Sequence, residues 1–395
     1  MPRIARPDII RPQRLWAALL AATLLNLPLG SVYSFSVFLR PIELDLAIPR
    51  SALSLVFGMA TVGFTVGSVG AAFLYRLAPA AVLVFAAAAW AAMGIGVAAM
   101  ASGMAQLLLG YGVAFGTGGG VAYILLQQGV NLLLRRRQGL VNGYIVSLYP
   151  LGAMIATPVF HWCNENFGWR TTLAGLAVVL VVFGAVAAWL VHHGGARLAA
   201  PAGSAPVVPA RLGLTFVKLA ATFFLAASAG LMVLSQAREI VAAYGGAVAL
   251  AVGATTGITA AIALARVSGG WLVDRFAVPH VMCSAHGLAL GGAVLLTAYP
   301  APVTAVLGLG MVGMGYGFIS GSTAGSIALY WPVADFGRVA GRTYIAWCAA
   351  AVGLPVLAGY LFDLTQGYAA AVVIAGAGNL AGMAVALSLP RKDSR

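Results

Sequence analysis

The sequence predicts an all-α integral membrane protein, with twelve transmembrane helices in two pseudo-symmetric six-helix bundles. Three observations carry that expectation. The chain is 62% hydrophobic and only 8% charged, whereas a soluble domain carries roughly 25% charged residues. Its apolar segments recur at lengths of about 20 residues, enough to cross about 30 Å of hydrocarbon as helix. A polar, Pro/Ala/Gly-rich stretch, HHGGARLAAPAGSAPVVPARLG at 192–213, divides the chain into two parts of similar size.

The first part, 15–191, holds spans at 15–38, 52–75, 79–101, 104–133, 139–162 and 170–191. The second, 214–389, holds spans at 214–236, 246–271, 278–299, 302–330, 340–362 and 367–389. Residues 1–14 and 390–395 are tails. The two parts echo each other weakly. NENFGWRTT leads into the sixth span and DLTQGYAAA into the twelfth, each with an aromatic just after a Gly. The 50 glycines suit membrane helices, because small residues let backbones approach. The run 116–120 (GTGGG) has no strand before it and no Lys-Ser/Thr after it, so it reads as helix packing rather than a phosphate loop. Pro150, Pro158 and Pro355 lie within spans and are expected to kink them and free carbonyls.

Charge sets the orientation, because Lys and Arg concentrate on the cytoplasmic side. With both tails and the linker cytoplasmic, only Arg40, Arg50, Arg170 and Arg238 of the 22 Lys and Arg fall outside. Arg266 falls within a span, and the rest fall inside. The net charge of +13 is scattered over short loops, which argues against nucleic acid. The N-terminal tail is basic and lacks a signal-peptide pattern. Composition points to a bacterial inner membrane. The three Cys are far apart, the five His read as loop or helix-end residues, and no metal, cofactor or nucleophile–base set is visible. The chain is expected not to be an enzyme.

Arg266, in GITAAIALARVSGGWLVDRF, is the one fixed charge in the apolar interior. All nine Asp and Glu can be placed in loops or tails. A cation at the bilayer centre costs about 2.5–3.5 kcal/mol on insertion scales, so such residues normally face a cavity. A guanidinium can hold a carboxylate bidentately while staying charged. The expected partner is therefore a small organic anion. A structural Arg bonded to helix carbonyls is the alternative, since Asp274 lies only about 12 Å further along the helix.

Gly270-Trp271-Leu272-Val273-Asp274-Arg275 matches the Gly-x-x-x-Asp-Arg loop signature of the major facilitator superfamily, which the chain resembles over essentially its whole length. The resemblance implies a latch at the cytoplasmic side built on Gly270, Asp274 and Arg275, with Arg338 and Arg342 of ADFGRVAGRTY as partners for Asp274. Anchoring alone is the competing role for these charges. The first-half copy, GAAFLYRLAP, puts Leu74 at the acidic position. The basic loop Arg135-Arg136-Arg137 is also typical.

Within the superfamily, GSVYSFSVFLRPI, YGVAFGTGGGVAY, QGLVNGYIVSLYPLGAMI and the Arg266–Asp274 spacing are similar to the monocarboxylate porter and oxalate/formate antiporter branch. That branch implies a carboxylate on Arg266. The oxalate exchanger's second cation, a Lys, falls at Trp347, which favours a monoanion. The acidic residue and first-span Lys of animal monocarboxylate carriers fall at Ile262 and Tyr33, which removes those groups from proton coupling.

Tyr33, Tyr123, Tyr149 and Trp347 are candidate cavity residues, offering polar tips on apolar bodies. Interfacial belts and core packing use the same residue types. Gln127 joins them as a polar residue deep in the fourth span, where interhelical hydrogen bonding is the alternative. The expected function is transport of small organic anions, above all monocarboxylates, by a monomer embedded in the lipid bilayer. A proton-driven multidrug exporter and a non-transporting membrane sensor are the other readings.

Overall fold

The computed structural model describes residues 12–134, 136–195, 198 and 211–391. Most of the N-terminal tail, Arg135, most of the linker and residues 392–395 lie outside the described residues. The described residues form helices and their connections only. Among them, eleven helices are long and apolar enough to cross a membrane. One of them, Gln138–His193, is 56 residues long, about 84 Å at 1.5 Å per residue and too long for one crossing. It breaks at Gly168, whose φ of 79° and ψ of 160° only glycine adopts readily. The helix is therefore two spans, and the total among the described residues is twelve.

In order, the spans are Gln13–Ser34, Ala52–Leu74, Ala80–Ala99, Met104–Leu133, the two arms of Gln138–His193, Gly213–Ala243, Val248–Val273, Val278–Ala298, Pro302–Tyr330, Val333–Thr365 and Ala369–Leu387. They are called spans one to twelve below. A short helix, Ser36–Leu46, follows span one.

Two irregularities were not foreseen from the sequence. Span four contains a wider π-helical stretch at Leu108–Phe115. Span one tightens to a 3₁₀ turn at Ser31–Ser34, just past Pro28, and carries Tyr33 there. The Gly run behaves as expected of packing. A Cβ at Gly116, Gly118 or Gly120 would strike the backbone of Ala60, Ala87 or Phe64, so span four lies directly against spans two and three. Gly119 differs, since a Cβ there would make only ordinary contacts.

The two halves meet toward the end of the molecule that carries Asp274. Span five packs on spans eight and ten, and span two on span eleven. A Cβ on Gly270 would run into the Gly139 carbonyl, and one on Gly143 into the Arg266 carbonyl. First-half side chains share one apolar core with Val273, Ile327 and Phe336 of the second half. The rest of the second half, including Phe223, Ile258 and Tyr368, forms a separate core. Tyr33, Phe64 and Tyr344 pack against both cores. The halves are thus joined below this aromatic level and distinct above it.

Candidate functional site

Arg266 lies in the part of span eight nearer Asp274 and is 4% exposed. Its Nη1 donates to the Val146 carbonyl of span five at 2.9 Å. That carbonyl is available for a covalent reason. Pro150, four residues on, has no N–H with which to make the helical bond. Arg266 Nη2 donates to the Tyr316 hydroxyl of span ten at 3.1 Å, and the guanidinium carbon lies 5.3 Å from the centre of that ring. Nε is buried and has no partner. No ion pair among the described residues reaches Arg266. The charge is thus held by one carbonyl and one phenol, with donors to spare.

Tyr316 ties Arg266 to span eleven. Its hydroxyl also accepts from Trp347 Nε1 at 3.0 Å. A phenol oxygen accepts two hydrogen bonds and donates one. With both acceptor positions taken, its proton remains to be given. Tyr344 donates to the Tyr123 hydroxyl at 2.9 Å, joining spans eleven and four.

Four aromatic residues from four spans close a ring above the arginine. Tyr33 and Trp347 have centroids 6.5 Å apart, Trp347 and Phe64 5.9 Å, Phe64 and Tyr149 5.5 Å, and Tyr149 and Tyr33 6.3 Å. All four contacts are edge to face, the arrangement favoured by ring quadrupoles. Below this ring, Arg266, Tyr316, Ser320, Tyr344, Tyr123 and Phe223 line a small cavity.

No family model matches the chain. Bovine monocarboxylate transporter 13 (Bos taurus) is 26% identical over 399 residues, covering 95% of this chain and 89% of the relative. The rat protein of the same name (Rattus norvegicus) is 27% identical with the same coverage. The uncharacterized MFS-type transporter YhjX of Escherichia coli (strain K12) is 25% identical over 173 residues, 43% of each chain. Among solved structures, the proton:xylose symporter XylE superposes with a TM-score of 0.74 at 15% identity, covering 96% of this chain and 97% of that one. FucP in its outward conformation gives 0.72 at 14% identity, covering 96% and 100%. The chain is a major facilitator superfamily transporter.

The transporter brings together most of the residues singled out from its sequence. Arg266, Tyr33, Tyr123, Tyr149 and Trp347 all line the central cavity. Gln127 does not. Its Nε2 donates to Asn142 Oδ1 at 3.2 Å, beside the reciprocal amide pair Asn131–Asn142. It belongs to an interhelical network joining spans four and five. His286 also departs from expectation. It is fully buried inside span nine and bonded to Asn379 of span twelve at 2.8 Å.

The Asp274 end of the transporter is joined differently from the sequence expectation. Arg338 bonds Asp335 at 3.0 Å, and Arg342 makes no ion pair among the described residues. Asp274 instead accepts from the backbone N–H groups of Gly139 and Leu140 at 2.7 and 2.8 Å. These begin span five, where free N–H groups and the helix dipole favour a carboxylate. Arg275 lies over the Trp271 ring, 4.1 Å from its centre. A second tie runs the other way. Gln128 of span four accepts from Gly337 N–H at 2.7 Å and donates to the Val333 carbonyl at 3.2 Å, at the start of span eleven. The degraded signature with Leu74 thus coexists with a neutral amide cap drawn from another span.

Proposed function

We propose that this transporter carries small monocarboxylates across the bilayer by alternating access, with the carboxylate seated on Arg266. The observation that carries the reading is a buried guanidinium with an unpartnered Nε and no acidic partner among the described residues. A carboxylate offsets that charge and takes two N–H donors in the plane of the fork. The free Tyr316 proton supplies a third donor. Trp347 lines the cavity beside Arg266 and no second Lys or Arg joins the lining, so one negative charge is matched. The relatives named as monocarboxylate transporters agree with this class.

In this reading both termini are cytoplasmic and the protein lies in the inner membrane. Asp274 and Gln128 close the cytoplasmic side, and the aromatic ring faces the outer approach. Binding neutralises Arg266 and lets the loaded site occlude before the halves rock. An empty, charged Arg266 resists the return, which favours exchange of one anion for another.

A thermal-stability screen of the purified protein tests the reading. Formate, acetate, lactate, pyruvate, longer 2-oxo acids, oxalate and drug-like cations are compared, with Arg266→Gln in parallel. Monocarboxylates are expected to stabilise the wild type and not the variant. Stabilisation of both proteins by cations alone would replace this reading with that of a drug exporter.

A further inference from the structure

We infer that the preferred substrate is a monocarboxylate bearing an uncharged apolar tail, and that Gly119 sets the size of that tail. The inference rests on the carboxylate reading of Arg266. A second, small cavity lies on the other side of the aromatic ring. It shares four lining residues with the Arg266 cavity, and these are the ring members Tyr33, Phe64, Tyr149 and Trp347. The order along each span separates the two compartments. In span two, Phe57, Ala60 and Thr61 lie above Phe64; in spans five and eleven, Val146 and Tyr344 lie below Tyr149 and Trp347.

A carboxylate on Arg266 has one direction in which to extend. Toward Asp274 the backbone of Arg266 is pressed between Gly143 and Gly321, which leaves no room for a substituent. The other direction leads through the ring, whose walls are side chains and can part. Beyond it the lining is Leu29, Val32, Phe57, Ala60 and Phe115, with no charged side chain. Thr61 already donates to the Phe57 carbonyl at 3.1 Å, and Tyr149 to the Gly119 carbonyl at 3.4 Å. A second carboxylate or an ammonium placed there would be desolvated without a partner, which disfavours dicarboxylates and zwitterions. A hydrocarbon tail gains about fourfold in affinity for each methylene withdrawn from water.

Gly119 is where this compartment can be refilled without disturbing the fold. A Cβ there would meet the Tyr149 hydroxyl at 3.5 Å and Leu29 Cδ2 at 3.7 Å, both ordinary contacts. Its neighbours Gly118 and Gly120 have no such room.

The test titrates purified protein with propanoate, 3-phenylpropanoate, 3-phenylpropanamide and glutarate, using wild type, Gly119→Ala and Gly119→Leu. Wild type is expected to bind 3-phenylpropanoate at least about tenfold tighter than propanoate or glutarate. Gly119→Leu should abolish that advantage and leave propanoate within about twofold; Gly119→Ala, the milder variant, should reduce it partly. Equal binding of propanoate and 3-phenylpropanoate by wild type overturns the tail compartment and leaves the carboxylate reading standing. Equal weakening of both acids by Gly119→Leu does the same. If the amide binds as tightly as its acid, the carboxylate reading fails while the compartment stands. If none of the four binds, both fail.

Discussion

Arg266 donates to the carbonyl of Val146 at 2.9 Å, and Val146 is the residue whose helical acceptor bond Pro150 removes. A proline in one half of the molecule thereby orients a guanidinium in the other. Pro150→Ala returns an N–H to that turn and offers the Val146 carbonyl its ordinary helical partner. Arg266 then competes for the carbonyl with its own helix neighbour. Carboxylate affinity is expected to fall about threefold to tenfold, in line with the net worth of one hydrogen bond. Calorimetric titration with a monocarboxylate checks this, and unchanged affinity would show that the carbonyl does not orient the site.

Tyr316 is the joint between the arginine and span eleven. Tyr316→Phe leaves Arg266 Nη2 and Trp347 Nε1 without their shared acceptor. Burying donors unpaired costs about 1–3 kcal/mol. Both the thermal midpoint and the carboxylate affinity are expected to drop, the latter at least tenfold. A drop in stability alone, with affinity intact, would make Tyr316 a structural residue only.

Asp274 and Gln128 cap the starts of spans five and eleven from opposite halves. They share no partner, so their losses should add. Asp274→Ala is expected to cost about 1 kcal/mol, as lost helix caps do, and Asp274→Asn less because one acceptor oxygen remains. Gln128→Leu is expected to cost about 1–3 kcal/mol through the unpaired Gly337 N–H and Val333 carbonyl. Chemical-denaturation midpoints of the singles and the double variant measure this. A double variant no worse than either single would mean one tie is already broken.

The sequence is legible where physics leaves one choice. A fixed charge inside an apolar span can be read directly, and Arg266 is buried there with no ion pair among the described residues. Pro150 is legible for the same reason, because its missing N–H is covalent. Tyr316, Tyr344 and Phe64 complete the cavity but are three aromatics among many in apolar helices, with no periodic signal to mark them. Gln127 shows the converse: an amide facing a cavity and an amide facing Asn142 look alike in one dimension. The cap on span eleven was hidden because Gln128 does the work from span four, far from the signature that Leu74 breaks. The Asp274 site was half legible. Its position follows the loop signature, yet its partners are backbone N–H groups, which no residue type announces.

The central claim is that Arg266 carries the anion. The most direct measurement is flux of a labelled monocarboxylate into proteoliposomes preloaded with the same unlabelled acid, comparing wild type, Arg266→Lys and Arg266→Gln. The account predicts rapid exchange by wild type, a loss of at least about tenfold in Arg266→Lys because a point charge replaces a planar fork, and background flux in Arg266→Gln. Exchange by Arg266→Gln at the wild-type rate would contradict it.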